Sequence, residues 1–187
     1  RTLKLPSDGD GTILTTNSPT GKLLQVVQTV KTDVSSYSLT NPGFTADVMT
    51  VSITPANANN KIMIDSNIAV GGMFVIPTFA YYKDGSVITG AIGDAGTDSN
   101  GNALNRTTMI NYNARISTPA QLHMKYLDTA GGTSSITYSV RLSHNRNASE
   151  GAKTLYINRI GITGETYSTY LFATRVISTL TVTEIAA

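Results

Sequence analysis

Between Gln121 and His144 the chain has two arms that alternate apolar and polar residues one by one. Ile136, Tyr138, Val140 and Leu142 share one parity, while Thr137, Ser139, Arg141 and Ser143 hold the other. Upstream, Leu122, Met124 and Tyr126 alternate with His123 and Lys125. A helix repeats every ~3.6 residues and a strand every two, so this pattern fits strands with one dry and one wet face. Between the arms lies Thr-Ala-Gly-Gly-Thr, where Gly131 and Gly132 can take the positive φ of a tight reversal. The stretch therefore reads as a β-hairpin.

The rest of the chain repeats this style. Runs of strand character cover Leu23–Lys31, Val48–Thr54, Lys61–Val70, Phe74–Lys83, Ser86–Thr89, Thr107–Ile116, Thr154–Asn158 and Arg175–Ile185. Asn41-Pro42-Gly43, Ala56–Asn60 and Asp84-Gly85 supply turns, the last being a strong hairpin signal. Asp33–Phe44, Ala91–Arg106, Asn145–Gly151 and Gly161–Tyr170 read as loops. No window of helical length keeps a clean helical period. About ten short strands at this spacing predict an all-β fold, a two-sheet antiparallel sandwich and most simply a jelly roll. An immunoglobulin-like sandwich, which needs fewer strands, is the second reading. The expected core is Met49, Val51, Ile53, Ile62, Ile64, Leu122, Met124, Tyr126, Ile136, Tyr138, Val140, Leu142, Leu155 and Ile157.

At 187 residues the chain fits one domain with an arm. Residues 1–20 are dominated by glycine, proline and small polar residues, with Leu3, Leu5, Ile13 and Leu14 as the apolar anchors. They read as an extended arm or linker, and residues 21–187 as the sandwich. The chain lacks an initiator Met and so reads as a fragment or a processed product. With no cysteine, it has neither disulfides nor thiolate metal sites. Charged residues make up 14% and the net charge is +2 with no basic run, which argues against a nucleic-acid surface. The most apolar run, Ile68–Ile76, is broken by Gly71 and Gly72, far short of the ~20 residues a membrane helix needs. Membrane insertion is not expected.

Residues suited to chemistry are sparse. The histidines are His123, on a polar strand face, and His144, at a strand end; both read as surface residues. There is no Gly-x-Ser-x-Gly elbow and no His-Glu-x-x-His. Asp94, Asp98, Asn100 and Asn102 space oxygen atoms as calcium loops do. The bidentate Glu of such a loop falls on Met109 or Asn105, so the segment reads as a polar loop and no metal or cofactor is expected. The better binding candidates are Tyr167 and Tyr170, in Gly164-Glu-Thr-Tyr-Ser-Thr-Tyr170, since tyrosine offers rigid area with a polar tip. Asn145 and Arg146, in a neighbouring polar loop, join them as a candidate receptor-binding set. Met63, Leu127, Tyr156, Val176 and Ile177 fall on the second faces of their strands, so some are expected to meet a partner chain.

The arm, Leu3-Lys-Leu-Pro-Ser-Asp-Gly-Asp-Gly-Thr-Ile-Leu-Thr-Thr-Asn, resembles segments that precede terminal domains in bacteriophage fibres. Gly21-Lys-Leu-Leu-Gln-Val-Val-Gln, Ser52-Ile-Thr-Pro, Asn60-Lys-Ile-Met-Ile and Ser178-Thr-Leu-Thr-Val-Thr-Glu-Ile-Ala look like a domain of structural proteins in marine and cyanobacterial phages. The strand phrases also resemble the trimeric C1q/TNF-type jelly roll. The resemblance implies a virion fibre, spike or head-decoration protein whose knob touches a host-surface glycan or protein. It implies a homotrimer held to other virion proteins by the arm, and no catalytic motif. Alternatives are a purely structural decoration or connector protein and a glycan-degrading tail spike. The low charge and missing motifs count against the last.

Overall fold

The computed structural model describes residues 21–39, 47–72, 77–97, 99, 107–110, 120–144, 153–159 and 175–187. Among them eleven strands form two sheets, with one 3-10 turn at Thr89–Ala91. The first sheet holds β1 (Leu23–Lys31), β2 (Ser35–Leu39), β4 (Lys61–Gly72), β8 (Ala120–Thr129), β10 (Lys153–Ile157) and β11 (Ser178–Ile185). The second holds β3 (Asp47–Ile53), β5 (Pro77–Lys83), β6 (Ser86–Val87), β7 (Met109–Ile110) and β9 (Ile136–His144). Their pairings are antiparallel. The fold is the expected all-β sandwich.

Apolar residues of alternate parity meet between the sheets. Ile62, Ile64, Ile68 and Val70 of β4 are fully buried, as are Leu180 and Val182 of β11 and Phe79 and Tyr81 of β5. Every expected core residue is buried except Tyr126, which is half-buried at the core margin. Asp84 and Gly85 both take positive φ (47° and 80°), the geometry that lets a two-residue turn follow strand twist.

The central stretch departs from its hairpin expectation. β8 pairs with β4 in the first sheet, while β9 lies between β3 and β5 in the second. The connection between them therefore crosses from one sheet to the other. A hairpin and a sheet-to-sheet crossing impose the same period of two, because both put alternate residues into one core. The crossing is held locally: Ala130 and Gly131 donate their N–H groups to Asn60 O (2.9 Å) and Ala58 O (2.8 Å). Gly131 has φ 75°. A second departure is β2, which forms inside the expected Asp33–Phe44 loop. Its Tyr37 packs against the core and pairs with Leu155, enough to recruit a short edge strand from a serine-rich run.

β4 organises the first sheet. β8 lines one side of it from Lys61 to Val70. On its other side β11 pairs with Lys61–Asn67 and β10 with Val70–Gly72, end to end. Asn158 sits at the junction, buried and at φ 62°. Its Nδ2 donates to Lys31 O (2.7 Å) and Asp33 O (3.0 Å), and its Oδ1 accepts from Ser178 Oγ (2.6 Å). Ser178 Oγ in turn accepts the Ala69 N–H at 2.9 Å. One asparagine thus satisfies the backbone where four strands break or begin.

Candidate functional site

The outer faces of the two sheets differ in kind. On the second sheet, Ser139 Oγ and Arg141 Nε donate to Asp47 Oδ1 at 2.7 and 2.6 Å. Ser52 and Thr137 share a hydrogen bond of 2.9 Å, and the Arg141 guanidinium stacks 4.1 Å over the Tyr82 ring. Partial burial pushes the Asp47 carboxyl up, but the Arg141 and Ser139 hydrogen bonds outweigh it and leave it below the ordinary value. Here the face matches its own charges, while Thr78 and Ala80, on the same side of β5, are fully buried.

The first sheet presents apolar area instead. Strand register places Val26, Thr183, Met63 and Leu127 in one row across β1, β11, β4 and β8. Val26 is 60% exposed and Leu127 47%. Leu23, Leu24, Val30 and Ile177 are also exposed, and all lie on or beside this sheet. No large exposed hydrophobic residue lies on the described parts of β3, β5, β6 and β9 of the second sheet. Next to the row, Asp65 binds His123 Nε2 at 2.8 Å and Lys125 Nζ at 3.0 Å. Burial raises the Asp65 carboxyl, but those two donors prevail and hold it low. Asp65 is thus paired within the face, while the exposed Lys61, in line with Met63 and Asp65 on β4, donates to Thr129 Oγ1 at 2.8 Å.

Of the residues expected at a subunit contact, Met63 and Val176 are half-buried, and Leu127 and Ile177 are exposed. Tyr156 is a correction: it is buried, with the Arg159 guanidinium 4.5 Å over its ring. Val26 and Val30 belong to the same face but escape the sequence reading, because β1 alternates apolar residues on both parities.

Polar groups that might suggest chemistry are committed to holding the sheets together. Lys83 Nζ donates to Asp128 Oδ2 (2.8 Å), Thr129 O (2.7 Å) and Ala130 O (2.9 Å), which uses all three of its protons. The Tyr138 hydroxyl donates to the same Asp128 oxygen at 2.8 Å, bolting β9 to β8. Burial, then the Asp128 carboxylate, pushes the Tyr138 hydroxyl above its ordinary value. A cleft of 320 Å³ beside the crossing is lined by Lys83, Asp84, Gly131, Ser134, Ser135 and Ile136, with no donor of Lys83 to spare.

The candidate receptor-binding residues Tyr167, Tyr170, Asn145 and Arg146 lie outside the described residues, as do the arm and Asp98, Asn100 and Asn102. His123 lies on the exposed face as expected, paired with Asp65. Among the described residues no three His, Asp or Glu side chains group so as to hold a metal ion.

No family model matches the chain, and no curated protein matches it. Among solved structures it is similar to the structure of the infectious bursal disease virus Gx strain, at 14% identity and a TM-score of 0.41. That alignment covers 97% of this chain and 44% of that one. For the infectious bursal disease virus VP2 subviral particle the values are 12% and 0.38, covering 97% and 45%. The chain thus spans less than half the length of these solved chains. Superpositions this loose bear on neither the family nor the role of this chain.

Proposed function

We propose that this chain is a structural protein of a virus particle, a knob or decoration subunit that associates with copies of itself through the outer face of its first sheet. One observation carries the proposal: large exposed apolar residues gather on one sheet and are absent from the described part of the other. A soluble monomer seldom leaves a contiguous apolar band uncovered. The pairing of Asp65 with His123 and Lys125 means that covering the centre of this face strands no lone carboxylate. The resemblance of the arm and strand phrases to phage fibre proteins supplies the setting, a bacteriophage virion.

In this reading the copies form a homotrimer, and the Arg1–Thr20 arm attaches it to other virion proteins. The loops bearing Tyr167, Tyr170, Asn145 and Arg146 meet a host-surface glycan or protein. The role is non-enzymatic and needs no cofactor. Sedimentation of the full chain is expected to give a trimer or multiples of one; a monomer alone at micromolar concentration would overturn the assembly. A Tyr167→Ala, Tyr170→Ala variant that still assembles is expected to lose adsorption to host cells. Unchanged adsorption would remove that loop from host contact and leave a purely structural decoration role.

A further inference from the structure

β1 is the margin of the first sheet. β11 pairs along one side of it, and among the described residues no strand pairs along the other. A free edge presents N–H and C=O groups that another strand can complete, and natural edges are guarded by charge, proline, short length or a bulge. The other margins carry such guards. β8 bears His123, Lys125 and Asp128; β2 has five residues, β6 and β7 have two each, and β3 starts on the Asp47–Arg141 pair. β1 has nine residues, and its irregularity lies at its start, between Leu23 and Gln25. From Leu24 to Val30 it carries neither charge nor proline.

This segment is also self-complementary. Val26-Val27-Gln28-Thr29-Val30 reads alike in both directions about Gln28, since valine and threonine are both β-branched and similar in shape. Opposed residues of an antiparallel pair lie on one face. We infer that a second copy of this chain docks on β1 in antiparallel register about a two-fold axis at Gln28, merging two first sheets into one. Val26 then faces the second copy's Val30, Val27 faces its Thr29, and Gln28 faces its twin. Gln28 Nε2 donates one proton to Thr181 Oγ1 at 2.8 Å and has its other proton and its carbonyl for that twin. Lys31, already paired with Asp33 at 2.6 Å, falls opposite the second copy's Gln25, so no like charges oppose. The contact uses a strand edge and a two-fold axis. It is separate from the three-fold packing proposed for the sheet face and would link one trimer to the next.

The chain has no cysteine, so Gln28→Cys provides a single thiol at the axis. Under mild oxidation the full chain carrying it should form a covalent dimer, while Thr50→Cys, on the outer face of the second sheet, should not. Gln28→Lys and Gln28→Glu should each weaken the two-fold step at least about tenfold in dissociation constant. Mixing the two should restore it. Cross-linking of Gln28→Cys no faster than of Thr50→Cys, or an unchanged two-fold step in Gln28→Lys, overturns the inference. A trimer with no two-fold step overturns it and leaves the trimer standing; a dimer without a trimer does the reverse.

Discussion

Glu184 is a fully buried carboxylate that no cation pairs with among the described residues. It accepts from Asn60 Nδ2 (2.6 Å), Gln25 Nε2 (2.6 Å) and the Ala56 N–H (2.8 Å), tying β11, β1 and the β3–β4 turn together. Burial raises its proton affinity, but the donors prevail and hold it below the ordinary 4.5. A depressed carboxylate stabilises the fold above its unfolded value, and that stability is lost as pH falls through the folded value. Denaturant titrations should therefore show stability falling as pH drops below about 4.5, less steeply in Glu184→Gln. At pH 7 Glu184→Gln should cost about 2–3 kcal/mol, because an amide group is turned against donors. Tyr81 is a second test. Its hydroxyl donates to Met124 O at 2.8 Å and meets Ser66 Oγ at 2.7 Å, across the sandwich. Tyr81→Phe leaves both partners buried and should cost about 1–3 kcal/mol in the same titration.

At the scale of elements, periodicity in the sequence identified strands and their inward faces but not their neighbours. The inward sides of β8 and β9 were legible because Leu122, Met124, Ile136, Tyr138 and Val140 alternate strictly with polar residues. That they belong to different sheets was not, since alternation reports a buried face and says nothing of the strand alongside. Asp84-Gly85 was legible because a two-residue turn needs positive φ at both positions, a local demand. β2 was hidden because its pairing with β10 depends on a partner more than a hundred residues away, Leu155 against Tyr37. The crossing offers its own test. Gly131, at φ 75°, has no neighbour closer than 3.9 Å to an added Cβ, so Gly131→Ala meets backbone strain without a clash. It should lower stability by about 1–2 kcal/mol in thermal melts. Gly132→Ala, at ordinary φ and in open space, should be near neutral.

At the scale of the molecule, one outer face matches its charges around Asp47 and the other exposes apolar residues. The sequence pointed to part of this face through Met63, Leu127 and Ile177, which share strand parity with polar residues such as Lys61, Asp65 and Lys125. It placed Tyr156 on a second face too, where the Arg159 guanidinium covers its ring, a contact that strand parity does not encode. Leu127→Lys should dissociate the assembly in sedimentation while leaving the melting temperature nearly unchanged, since Leu127 is 47% exposed and outside the core. Thr50→Lys, on the other face, should change neither.

The end-to-end placement of β10 and β11 on β4 has an evolutionary reading. The chain leaves the sheet at Arg159 and returns at Arg175, and these two residues pair with each other as an isolated bridge. Asn158 and Ser178 seal the gap with bonds to the body alone. Whatever lies between the two arginines is thus inserted through a closed neck, and closing a longer loop adds little cost. Insertions between the two arginines can therefore accumulate in a lineage with both ends of the excursion still pinned to the sandwich.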